Sequence, residues 1–79
     1  MITLKEIIQK WQKRIDESKS NGQMLFALQA NQNYTIIKRN TPQKALEELK
    51  EQHKKYGEMG IGIFIKEAMN DLEELIKNE

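Results

Sequence analysis

Cysteine is absent from all 79 residues, so neither a disulfide framework nor a thiolate metal site can compensate for a small core. Histidine occurs once, at position 53. With no second imidazole, no H-E-x-x-H and no cysteine pair, His53 is read as a half-buried structural residue rather than a metal ligand. No serine stands in a nucleophile-elbow context, since Ser18 and Ser20 belong to a polar helix end. The neighbouring carboxylates Glu47-Glu48 and Glu73-Glu74 point apart on helices, as solvated faces do. These gaps make the expected protein a non-enzyme without a cofactor or a metal.

Long apolar runs are missing too. The start Met1-Ile2-Thr3-Leu4-Lys5-Glu6 lacks the basic and apolar segments of a signal peptide, and no stretch has the length to span a bilayer. The expectation is a cytoplasmic protein with no membrane partner. Glycine numbers only four, and three of these fall at Gly57, Gly60 and Gly62. A phosphate-cradling loop needs a preceding strand, a G-x-G-x-x-G or G-x-x-x-x-G-K order and no nearby anion. Here a helix precedes, the order is reversed and Glu58 would repel phosphate, so the glycines are read as a helix stop and sites of close packing.

A chain this short buries only about 60% of its unfolded surface and supports one core, so residues 1–79 are read as one small domain. Hydrophobic residues make up 38% and charged residues 32%, a composition that leaves few apolar side chains to spare. Lysine, at eleven, far exceeds arginine, at two. Together with the many Ile, Asn and Gln residues, this suits an AT-rich coding genome such as that of a low-GC bacterium or its phages.

Thr3 and Glu6 form a capping box, with Ile2 and Ile7 placed as a hydrophobic staple. Leu4, Ile7, Ile8, Trp11 and Ile15 follow at helical spacing, which predicts a helix over 4–19 ending before Gly22. Residues 24–28 and 34–38 are short apolar runs flanking Ala30-Asn31-Gln32-Asn33, a turn-prone tetrapeptide, and are read as a β-hairpin. The helix formers Met, Leu, Ala and Gln in the first run leave a helical segment as the alternative. Thr41 as cap and Pro42 at the first helical position open a second helix, ended by Gly57. Its expected buried side is Ala45, Leu46, Leu49, His53 and Tyr56. Ile61, Phe64, Ile65, Ala68, Met69, Leu72, Leu75 and Ile76 form an unbroken helical stripe, which predicts a third helix over about 61–77. The resulting fold is α+β, with an N-terminal helix, a hairpin and two C-terminal helices around Trp11, Phe26, Ile36, Leu49, Phe64, Met69 and Leu72. An all-α helical bundle is the alternative.

Charge is distributed unevenly. Residues 1–44 hold eight Lys or Arg against three acids, net +5, and residues 45–79 hold five against nine, net −4. Either the halves neutralise each other within the folded monomer or they present surfaces to partners. On the second reading the basic contacts are Lys10, Lys13, Arg14, Lys38 and Arg39. Ile63 lies off the helical stripe and is either covered by the hairpin or exposed. Exposed, it joins Met59 and Ile61 as an apolar knob. These eight residues are the candidate partner-binding set. The function they point to is a protein-binding module, such as an adaptor, inhibitor or regulator, with a homo-oligomer as a further candidate. Nucleic acid is the less favoured partner, given the near-neutral total charge, the scarce arginine and the acids of the last helix.

Overall fold

The computed structural model describes residues 2–57 and 62–78. It contains four helices, α1 (Leu4–Ser20), α2 (Met24–Arg39), α3 (Pro42–Tyr56) and α4 (Ile65–Lys77), and no strand among the described residues. The architecture is an all-helical bundle, which overturns the expected α+β fold. α1 packs along α2 and α3 along α4, and these two helical hairpins dock on each other. The Cα radius of gyration of 11.9 Å is close to the roughly 11.6 Å of a compact chain this long, so the hairpins are seated rather than splayed.

The ends of α1 follow from its sequence. The Thr3 hydroxyl accepts from the Glu6 backbone N–H at 3.2 Å, and the Glu6 carboxylate accepts from the Thr3 N–H at 3.1 Å, closing the capping box. At the other end, Gln23 N–H donates to the Ser18 carbonyl at 2.8 Å and Gly22 N–H to the Lys19 carbonyl at 3.1 Å. That pattern requires a left-handed residue just past the helix, and Gly22 supplies it with φ of 73°. In α3, Thr41 caps the Lys44 N–H at 3.3 Å and Pro42 occupies the first turn.

The segment expected to be a hairpin is helix α2. Its buried residues Ala27, Gln29, Ala30, Asn33, Ile36 and Ile37 recur at helical spacing, and Asn33, one of its two buried amides, falls in the tetrapeptide expected to be the turn. Asn33, 2% exposed, donates its side-chain amide to the Phe64 carbonyl at 3.2 Å. The small residues Ala27 and Ala30 are also buried, as in close helix–helix contacts. The β-branched Ile36 and Ile37 give up a few tenths of a kcal/mol of helix propensity. Burial of each returns about 1.5–3 kcal/mol, so packing decides the conformation.

The core comprises Ile7, Trp11, Ile15, Ala30, Ile36, Ile37, Ala45, Leu49, Ile65, Ala68, Leu72 and Leu75, with Phe64 and Met69 packed against it. Tyr56, expected on the buried side of α3, is 40% exposed. α4 begins at Ile65 with Phe64 as its cap residue, later than the stripe suggested, and residue 61 lies outside the described residues. Gly57 ends α3 with φ of 72°. A Cβ on Gly62 would fall onto the Gly57 carbonyl, so the backbone crossing between α3 and α4 is closed to any larger residue at position 62.

Candidate protein-binding surface

Two regions carry the polar and exposed apolar groups from which a function can be argued. The first is the seam between α1 and α4. Lys10 and Arg14 lie one turn apart on α1, and Glu67 and Asp71 lie one turn apart on α4, so each pair shares a helix face. The Lys10 ammonium sits 2.8 Å from Glu67 and 2.9 Å from Asp71, and Arg14 reaches Glu67 at 2.5 Å. The Trp11 indole N–H donates to Asp71 at 3.2 Å. Arg14 also lies over the rings of Trp11 and Phe64, with its guanidinium carbon 4.9 and 5.0 Å from their centroids. Phe64 in turn meets Phe26 edge-on at 5.6 Å between centroids.

The electrostatics agree with this geometry. Burial pulls the Lys10 ammonium down, but hydrogen bonds to Glu67 and Asp71 outweigh it and hold the group above the ordinary lysine value. Burial pushes Glu67 up, and the hydrogen bonds from Arg14 and Lys10 more than offset it, leaving the carboxyl below the usual range. Lys10 and Glu67 are therefore each held in the charged form. A plus-rich helix and a minus-rich helix from opposite halves of the chain neutralise each other here.

The second region is the outer face of α2. Met24, Leu25 and Leu28 are 62, 54 and 52% exposed. Further along the same face come Asn31, Gln32 and Thr35, then Lys38 and Arg39 at the C-terminal end. α2 has no carboxylate along its entire length. Hollows border the face on both sides. One of 390 Å³ lies between Lys19 of α1 and Met24, Leu28 and Asn31. Another of 310 Å³ lies between Asn31, Gln32 and Thr35 and the α3 residues Gln52 and Tyr56.

The eight residues singled out from sequence are not one surface. Lys10 and Arg14 belong to the α1–α4 seam. Lys13 is exposed on α1 and lies 3.8 Å from Glu17. Lys38 is exposed and donates to the Tyr34 hydroxyl at 3.1 Å, and Arg39 is exposed beside it at the end of α2. Ile63 is 41% exposed in the turn before α4, so it is not covered by its neighbours. Met59 and Ile61 lie outside the described residues. Met24, Leu25 and Leu28 were missed, because assigning them to a strand hid their common face. Their signal in the sequence is an apolar cluster at positions i, i+1 and i+4 pointing away from Ala27 and Ala30.

Among the described residues no three His, Asp or Glu side chains converge as metal ligands would, and no helix is long and apolar enough to cross a membrane. Comparison with protein-family models, curated proteins and solved structures finds no match to this chain.

Proposed function

We propose that this chain is a non-enzymatic protein-binding module, a small cytoplasmic adaptor, inhibitor or regulator that offers the outer face of α2 to a larger protein. The observation that carries the reading is the exposure of Met24, Leu25 and Leu28 by more than half each on a helix without a single acid. A chain with so few large apolar residues commits three of them to solvent on one face, and contiguous apolar surface of that kind is characteristic of contact sites. Tyr56 stands at the border of the same face, 40% exposed, and tyrosine is among the residues that dominate binding energy at protein contacts. Nucleic-acid binding through the basic N-terminal half has less support, because Lys10 and Arg14 are engaged by Glu67 and Asp71.

Affinity capture from nuclease-treated lysate of the source organism tests this, comparing the native chain with the double variant Leu25→Glu, Leu28→Glu and with Lys50→Glu on α3 as a control. The expected result is a protein that accompanies the native chain and the control but not the double variant. Recovery that vanishes on nuclease treatment, or that is equal in all three, would refute the reading.

A further inference from the structure

The outer face of α2 is graded from end to end. Met24, Leu28, Asn31, Thr35 and Lys38 follow one another at intervals of four, three, four and three residues, with Leu25, Gln32 and Arg39 alongside at intervals of seven. That is the spacing of a helix-packing seam. It is apolar over the first turns, amide and hydroxyl in the middle and cationic at the end. Sixteen residues give the face a length of about 24 Å. The hollows on either side, beside Lys19 and beside Tyr56, provide grooves into which the ridges of a second helix can settle.

Resting on the reading above, we infer that the occupant of this face is an acidic amphipathic helix of another protein, laid antiparallel to α2. Its carboxylates lie against Lys38 and Arg39, and its apolar side chains cover Met24, Leu25 and Leu28. Charge complementarity selects this occupant. Lys38 and Arg39 have no acid on their own helix, the nearby Glu48 is met by Asn40 at 3.3 Å, and neither cation makes an ion pair among the described residues, so the cationic end has room for carboxylates from outside.

A second copy of the chain does not meet that need. An antiparallel two-fold pairing along α2 would set Met24, Leu25 and Leu28 against the cations of the other copy, and a parallel one would set Lys38 and Arg39 against themselves. Nucleic acid would leave three large apolar side chains uncovered and find only two cations on the helix. The direction of the partner follows from the helix dipole. Carboxylates are stabilised in the first turn of a helix. An acidic first turn lies over Lys38 and Arg39, at the C-terminal end of α2, only when the two helices run in opposite directions.

Two synthetic helical peptides of about 18 residues and identical composition provide the test, titrated against the full chain. One carries glutamate on the contact face of its first two turns and leucine on that of its last two, and the other has the reverse order. The acid-first peptide is expected to bind at least about tenfold tighter than its reverse, a difference of about 1.4 kcal/mol. Leu25→Glu with Leu28→Glu should abolish binding. Lys38→Glu with Arg39→Glu should weaken it about tenfold or more, a loss that shrinks in concentrated salt. All four positions are exposed, and circular dichroism confirms that the variants remain helical.

Equal binding of the two peptides, binding indifferent to charge reversal, or no binding by either would overturn the inference. If neither peptide binds while the captured lysate protein is still lost from the Leu25→Glu, Leu28→Glu variant, the docking reading stands and the acidic helix falls. If capture fails as well, both fall. Tight binding of mixed-sequence DNA that depends on Lys38 and Arg39, or a micromolar dimer dispersed by Leu25→Glu with Leu28→Glu, would assign the face to nucleic acid or to a second copy and equally overturn the inference.

Discussion

The α1–α4 seam and the outer face of α2 use similar residues to opposite ends. At the seam, Lys10 and Arg14 meet Glu67 and Asp71 over an aromatic floor of Trp11 and Phe64. On α2, Lys38 and Arg39 stand at the end of a helix without acids, and the apolar residues beyond them face water. Formal charge therefore does not distinguish a structural lysine from one available to a partner. What distinguishes them is whether a complementary helix of the same chain packs against that face.

Removing the aromatic floor is the most severe way to break the comparison. Trp11 is fully buried, and Trp11→Ala should cost about 3–5 kcal/mol of stability in urea denaturation. A cost under about 1 kcal/mol would place the indole outside the core. Asp71→Ala leaves the Trp11 N–H without its acceptor and removes one of the two carboxylates at Lys10. It should cost about 1–3 kcal/mol, and Lys10→Met in the same background should cost little more, since the network is already opened.

The pH dependence sharpens the same contrast. Glu67 is held below its ordinary range by Arg14 and Lys10, so its contribution is complete above the unfolded carboxylate value of about 4.3. That contribution is lost as pH falls through the lower folded value. Lys10 is held above the ordinary lysine value, so its contribution is complete below about pH 10.4 and is lost as pH rises through the folded value. Urea midpoints measured from pH 2 to 11 should therefore decline at both ends, and Glu67→Gln should flatten the acid limb. The smallest effect belongs to the α2 face. Leu25→Glu with Leu28→Glu, or Lys13→Ala on α1, should each change stability by no more than about 0.5 kcal/mol. A larger loss from the leucine pair would mean that this face supports the fold rather than a partner.

Helices α1 and α3 were legible from sequence because their ends are marked by residues whose side chains act locally, Thr3 with Glu6 and Thr41 with Pro42. α2 was misread for the opposite reason. Gln29 and Asn33 point inward and the leucines point outward, so a rule that places amides in turns and apolar residues in the core inverts its faces. Burial of Gln29 leaves its side-chain Nε2 without an acceptor among the described residues, a local cost that no pattern of polarity anticipates. The opposite charges of the two halves were plain, but their pairing depends on contacts across 53 to 61 positions, which composition and periodicity do not encode. The exposed apolar face of α2 could not be seen until its helical phase was known.

Contact between Trp11 and Asp71 spans 60 positions, and this separation sets a clock for the chain as it is made. At about 5–20 residues per second, the indole waits roughly 3 to 12 s after its own synthesis before its partner exists. During that interval the α1–α2 hairpin can form with its aromatic face uncovered, and it is then most open to chaperones or to premature encounter with other chains. Because Trp11 is the sole tryptophan, its fluorescence reports the moment at which the second hairpin closes over the first.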